Sequence, residues 1–424
     1  MRRLRWIIGS VLITAFGTIV VLNFTPPNKT LETPIEPIYA VDDPQFMRSM
    51  GTILGPPLIG GNKITSLYNG VEIFPAMLEA IAQAKRTITF ETYIYYQGEI
   101  GERFMKALAE RAAAGVKVHV LIDYVGGAKI DESYIEQMTA AGAEVERYHP
   151  LAWYQLTELN QRTHRKLLVI DGKIGFTGGV GISDEWLGNA DSPQHWRDSQ
   201  FRLEGPAVAQ MQATFLDNWM EARGTLLHGD DYFPRLEPVG TSTAQVFMGS
   251  ADVASESVRM MYLLSIASAK KTIRIANAYF VPDDLAVHTL VEAAKRGVDI
   301  QILVPAPEQS DSKMVAHASR GRWGPLLEAG IVISEYQPTM YHCKVMVVDG
   351  LWVSVGSTNF DNRSFRLNDE ANLNVVDAAL AARETETFER DMKLGQRMTL
   401  EVWKARPWTE RAKESFAKIF RSQL

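Results

Sequence analysis

The chain has 424 residues, 46% hydrophobic and 22% charged, which is enough for two ordinary domains with sizeable cores and excludes a disordered or fibrous class. Its single cysteine, Cys343, excludes an intramolecular disulfide and any multi-cysteine zinc site. A formal charge of −6, from 44 basic and 50 acidic residues, disfavours loose binding to nucleic acid.

Arg2, Arg3 and Arg5 precede an uncharged stretch over residues 6–24, and Pro26-Pro27 stops any helix there. Such a helix reaches roughly 28 Å, close to the hydrocarbon thickness of a bilayer. The spacing predicts one transmembrane helix with the arginines kept inside and the rest of the chain exported. A retained anchor is favoured over a cleaved signal peptide, because no small-x-small site follows. Residues 32–43, rich in proline and acidic residues, read as a tether. Without the three arginines the balance becomes 41 to 50, a formal charge of −9.

An internal repeat follows. Residues 81–88 are echoed by 266–273, each a helix end running into a strand. A helix comes next in each half, with Ile100, Phe104, Ala107 and Leu108 on one face in the first and Val287, Leu290, Val291 and Ala294 in the second. Gly115 and Gly297 cap these helices, and strands follow over 116–122 and 298–304. Residues 141–148 then match 329–336. The pattern predicts two α/β sandwich units packed face to face, with boundaries at 1–45 for anchor and tether, 46–235 for the first unit and 236–424 for the second.

A motif is duplicated inside the repeat. His164, Lys166, Asp171 and Gly178-Gly179 recur as His342, Lys344, Asp349 and Gly356-Ser357. Alternate side chains of a strand share a face, so each histidine points with its lysine. One such pair is usually a strand entry with solvated charges; two at matched spacing point to one anion site. Phosphoryl transfer needs a nucleophile, cations on the non-bridging oxygens and an acid for the leaving group, and two HxK units supply these with no metal or cofactor. The remaining histidines, His119, His149, His195, His228, His288 and His317, read as structural or surface residues. Cys343, facing away from its neighbours, reads as a small core residue.

These residues resemble the phospholipase D superfamily, whose HxKxxxxD and GSxN signature is met by His342, Lys344, Asp349, Gly356, Ser357 and Asn359. Residues 278–283, 335–338 and 356–368, with Trp196-Arg197-Asp198 and Gly205-Pro206-Ala207-Val208, look like the bacterial cardiolipin synthases, and the likeness covers about residues 60–405. The resemblance implies tandem phospholipase D-like domains related by a pseudo-two-fold axis. One histidine forms a phosphohistidine and the other serves as acid and then base; His164 is taken as nucleophile and His342 as acid and base. Lys166 and Lys344, with Ser357, Asn359 and Gly179, would hold the phosphate, and Asp171 and Asp349 would support the site. It also implies a phospholipid substrate, phosphatidylglycerol, and a bacterial inner-membrane enzyme whose catalytic domains face the periplasmic side, with no nucleic-acid partner. A phospholipid hydrolase, a nuclease of the same superfamily and a lipid-binding protein with a dead site are the competing readings. The first copy departs from the signature, reading Gly178-Gly179-Val180-Gly181. A roomier, less polar wall is expected there, with glycine N–H groups approaching the anion. Glu185 and Glu370 are candidates for polar support of the histidines, surface placement being the alternative. The basic, aromatic stretch 403–424 is read either as a helix lying on an anionic leaflet or as one packed on its own domain.

Overall fold

The computed structural model describes residues 2–24, 31–150, 160–250 and 256–419, with the side chains at 2, 19–24 and 419 outside that description. The strands, in chain order, are β1 (Ile59–Tyr68), β2 (Thr87–Thr92), β3 (Lys117–Asp123), β4 (Glu144–Tyr148), β5 (Arg162–Thr163), β6 (Leu167–Ile170), β7 (Ile174–Gly178), β8 (Ser199–Glu204), β9 (Ser242–Gly249), β10 (Thr272–Asn277), β11 (Asp299–Pro305), β12 (Val332–Tyr336), β13 (Lys344–Val348), β14 (Trp352–Gly356), β15 (Asn368–Val376) and β16 (Gly395–Met398). The first half is ordered β4-β3-β2-β6-β7-β8-β1, and the second repeats it as β12-β11-β10-β13-β14-β15-β9, with β16 added at its edge. In both, the first three strands run parallel and the rest antiparallel.

Both faces of the HxK strands β6 and β13 are buried. Leu167 and Val169 turn into a core shared by the two halves, whereas Leu168 and Ile170 pack under the first half's helices. Val345 and Val347 enter the same shared core, and Met346 and Val348 serve the second half. The middle layer also takes helices Val208–Arg223 and Ala378–Met392. Face-to-face packing is thus only part of the arrangement. β9 lies between β15 and β1, so hydrogen bonding runs unbroken from one half into the other in a 16-stranded sheet. Short β5 pairs with β15, again across the halves.

Residues 31–54 do not act as a free spacer. Helix Pro44–Leu54 is amphipathic, and its Phe46, Met50 and Leu54 enter the second half's core with Val41; the Phe46 ring meets Trp352 edge-on at 4.9 Å. The start of the predicted first unit is therefore packed on the second. Helix Arg2–Phe24 leaves Leu4, Trp6, Ile7, Ile8, Val11, Leu12, Ile13 and Phe16 exposed. Among the described residues no helix is long and apolar enough to cross a membrane; the rest of the predicted span, beyond position 18, has side chains outside the description. Helix Trp408–Ile419 packs on its own half, with Ala417 against Val281, Val315 and Ala318 and Glu414 paired to Arg406 at 2.6 Å, while Trp408 and Phe416 face outward. Residues 420–424 lie outside the described residues.

Candidate active site

Each HxK segment is anchored by the opposite half. The His164 amide donates to the Asp369 carbonyl at 2.9 Å, and the His342 amide to the Arg197 carbonyl at 2.7 Å. These ties seat each imidazole beside the next residue of its backbone partner. His164 Nδ1 lies 3.0 and 3.1 Å from the Glu370 carboxylate oxygens, and His342 Nδ1 lies 2.7 Å from Asp198 Oδ2. The sheet register makes the two carboxylates equivalent. Gly178 pairs with Gln200 and Gly356 with Asn372, so Asp198 and Glu370 each stand two residues before the partner of a motif glycine. A buried carboxylate on Nδ1 fixes the tautomer and leaves Nε2 for chemistry.

The two histidines and two lysines are at most 8% exposed. Lys166 Nζ donates to the His164 carbonyl and Lys344 Nζ to the His342 carbonyl, both at 2.7 Å, and Lys344 Nζ is also 3.1 Å from each His342 ring nitrogen. Burial, then Lys166 and Lys344 against the pull of Glu370, brings His164 down to about 4; burial and Lys344 lower His342. Burial also lowers Lys166, to about 7, and Lys344. Burial alone would raise the carboxylates, but their neighbours win: His164, Lys166 and the Ser357 hydroxyl hold Glu370 near 2, and His342, Lys344 and the Trp186 N–H hold Asp198 low. The resting centre thus favours neutral imidazoles on two ionised carboxylates, and burial weakens the charge of both lysines, which an anion bound between them would restore.

Ser357 and Gly179 meet other demands than phosphate. The Ser357 hydroxyl donates to Glu370 Oε2 at 2.5 Å, and its N–H is in the sheet ladder to Ala371. The Gly179 N–H likewise donates to the Ser199 carbonyl at 3.2 Å. The roomier wall expected there is absent: a Cβ on Gly179 would stand 2.3 Å from Asp198 Oδ1, and one on Gly181 2.9 Å from Ile94 Cβ. Trp186 Nε1 donates to Asp198 Oδ2 at 2.9 Å, so an indole does for Asp198 what a serine does for Glu370. Asn359 is 4% exposed and among the described residues its Oδ1 has no partner; toward a phosphate oxygen it is the amide N–H groups of this side chain that could donate.

Asp171 and Asp349 sit at the far ends of β6 and β13. Each has φ of 52° and is followed by a left-handed glycine, the geometry of an Asp-Gly type I′ turn. The Asp171 carboxylate accepts from the amides of Lys85, Arg86 and Thr87, and Asp349 from those of Lys270, Lys271 and Thr272. Their support is to the turn and the start of the neighbouring strand. Of the two candidate glutamates, Glu370 is fully buried behind His164, whereas Glu185 bonds Ser183 and lines a polar cavity of about 710 Å³ with Lys129 and His195. His119 bonds Tyr232 and His149 bonds Glu221, His317 lies near Glu410, and His228 and His288 are exposed. Cys343 is a core residue whose thiol burial pushes up to about 12.

Asp198, Trp186, Trp196 and Tyr93 complete the centre. Trp186 and Trp196 ring centroids lie 5.3 and 5.5 Å from that of His342, and Tyr93 lies 5.3 Å from His164. Asp198 follows Gly178 by 20 residues and Glu370 follows Gly356 by 14, an unequal spacing that hides their equivalence in the sequence.

The family model described as "Cardiolipin synthase, PLD-like domain" matches residues 77–219 and 262–392. A protein named cardiolipin synthase from Geobacillus kaustophilus is 36% identical over 86% of this chain and 72% of its own length. One named major cardiolipin synthase ClsA from Bacillus subtilis is 34% identical over 84% of this chain and 74% of its own. Among solved structures, phosphatidylserine synthase from Haemophilus influenzae Rd KW20 shares the fold at a TM-score of 0.68, with 15% identity, covering 90% of this chain and all of that one.

Proposed function

The chain belongs to the cardiolipin synthase family of PLD-like proteins, and from that premise we propose that it is a phosphatidyltransferase that makes cardiolipin from two phosphatidylglycerols with release of glycerol. The observation that carries the reading is the pair of HxK units, each backed by a buried carboxylate from the opposite half. His164 Nε2 attacks phosphorus, the bond to the glycerol oxygen breaks, and His342 in its imidazolium form gives that oxygen its proton. The second lipid's hydroxyl then attacks phosphorus, the N–P bond breaks, and His342 takes the hydroxyl proton. The bound phosphodiester's negative charge favours the imidazolium that the first step needs. Lys166, Lys344 and the Asn359 amide hold the phosphate oxygens, while Ser357 and Trp186 position the carboxylates.

The same proposal makes residues 1–45 an anchor followed by a packed linker, with the boundary between the halves at 235/236. It places the enzyme in a bacterial inner membrane, spanning once, with its catalytic part on the periplasmic side. The exposed apolar side chains of helix Arg2–Phe24 behind Arg3 and Arg5 support the anchor.

Mass spectrometry of products from the detergent-solubilised protein with phosphatidylglycerol, alone and with phosphatidylethanolamine, tests the reading. Cardiolipin plus glycerol is expected; phosphatidic acid alone would make the protein a hydrolase. Acid-labile phosphate recovered on the peptide bearing His164 identifies the nucleophile, and its recovery on His342 instead would reverse the assignment.

A further inference from the structure

Between helix Trp408–Ile419 and the half that carries it lies a cavity of about 290 Å³, outside the catalytic motif. Ala417 anchors the helix on Val281, Val315 and Ala318, and His317 Nδ1 stands 3.5 Å from Glu410 Oε2 at the same contact. Val281, Ala318 and Trp403 give the cavity an apolar lining, to which Arg322, Arg406, Arg411 and Lys418 add positive charge against one carboxylate, Glu414. Two of these cations are already paired. Arg406 donates to both Glu414 oxygens, at 2.6 and 2.7 Å, and lies 3.7 Å from the centre of the Trp403 ring; Arg322 donates to the Pro282 carbonyl at 2.9 Å and to Asp284 at 2.6 Å. The side chains of Arg411 and Lys418 have no ionic or hydrogen-bonding partner among the described residues.

The first half shows that this charge is particular to the second. The Tyr96 amide donates to the Ile182 carbonyl at 2.8 Å as the Val281 amide does to the Phe360 carbonyl at 2.9 Å, so the polar cavity beside Tyr96 is the counterpart of the one beside Val281. That first copy presents Asp184 and Glu185 beside Lys129, a mixed lining, whereas helix Trp408–Ile419 brings Arg411 and Lys418 to the second. Spacings of four and three residues put Arg411, Ser415 and Lys418 on one strip of that helix, with Trp408 three residues before Arg411. Trp408 and Phe416 are exposed, as is Val402 next to Trp403. Cations that reach a phosphate, with an indole at the surface near them, suit the headgroup level of a bilayer.

Resting on the membrane placement given above, and not on the reaction, we propose that this cavity holds the phosphate of an anionic phospholipid of the bilayer and seats the second half on the leaflet. Arg411 supplies paired N–H donors, Lys418 a point charge on a flexible stem, and Trp408 enters the headgroup layer beside them. The bond from Val281 to Phe360, the residue after Asn359, ties this contact to the second half's signature.

Hydrogen exchange on the full chain in lipid nanodiscs tests this. Discs of phosphatidylcholine are compared with discs that also contain phosphatidic acid, an anionic lipid with no headgroup alcohol to exchange. Amides of helix Trp408–Ile419 are expected to exchange about tenfold or more slowly in the anionic discs, with helix Ala378–Met392 unchanged as the reference for an intact fold. Arg411→Gln and Lys418→Gln should each take back about fivefold of that difference, and the double variant all of it. Equal exchange in the two kinds of disc, or a difference that survives the double variant, overturns the proposal. The same slowing by glycerol phosphate added to neutral discs would make the site one for soluble phosphate and overturn the assignment to the bilayer. A chain that does not enter discs at all would remove the membrane placement, and the inference with it.

Discussion

Asp198 and Glu370 give each imidazole its direction, and their removal should be felt in the chemistry more than in the fold. An amide of the same shape keeps a hydrogen bond but cannot stabilise an imidazolium and can select the wrong tautomer. Asp198→Asn and Glu370→Gln are each expected to lower kcat by about 10²–10⁴-fold with a thermal melt close to wild type. Activity within a few fold of wild type would show that the carboxylates only fill space. Lys166 gives a pH signature. With its folded value at about 7, the free site loses this cation as pH rises, and an anion binding at pH 9 must draw a proton back at about 1.4 kcal/mol per unit. Inhibition by tungstate, whose charge is constant over this range, should weaken between pH 7 and 9 by a factor approaching tenfold per unit; a flat profile would remove the lysine from the anion site. In Glu370→Gln the decline should begin at lower pH, because Glu370 is the strongest influence sustaining the Lys166 charge. Stability runs the other way. The unfolded chain binds more protons between about 7 and 10.5, so stability from this residue rises with pH across the window in which anion binding falls.

The repeated elements were legible because their apolar runs, capping glycines and HxK spacing recur in register, and 178 residues separate each member of the first motif from its counterpart. The links between halves were not legible. Pairing of β9 with β1 and of β5 with β15 is a non-local choice that no local pattern encodes, and helix Pro44–Leu54 shows an apolar face without saying which core receives it. The site was read to the same depth. Its histidines and lysines lie within one short motif, whereas Asp198 depends on a strand register and on the unequal loop before β8. Gly179 shows the difference between motif and structure. Restoring the signature with Gly179→Ser would look favourable on sequence grounds, yet the new Cβ would stand 2.3 Å from Asp198 Oδ1. Asp198 cannot yield without leaving His342 and Trp186, so Gly179→Ser is expected to cost about a hundredfold in kcat through that displacement. Wild-type turnover in Gly179→Ser would refute the steric account.

At the scale of the molecule, the halves are two copies of one unit that no longer serve themselves. His164 is backed by Glu370 and His342 by Asp198; β5 lies on β15, β9 joins β1, and residues 41–54 fill the second half's core. Burial of the shared middle layer, with Leu167, Phe201, Val353 and Leu373 all at most 1% exposed, favours keeping the halves together. Co-expression of fragments divided at 235/236 is therefore expected to reassemble an active complex, because the break falls between helix Val208–Arg223 and β9, where no strand is cut. Either fragment alone should be inactive, lacking the carboxylate behind its own histidine and exposing half of a buried layer. The check is cardiolipin formation by the co-purified pair against each fragment at equal concentration. Turnover by the first fragment alone would mean that a single unit, or two copies of it, can supply a carboxylate behind His164, and the dependence on Glu370 would fall with it.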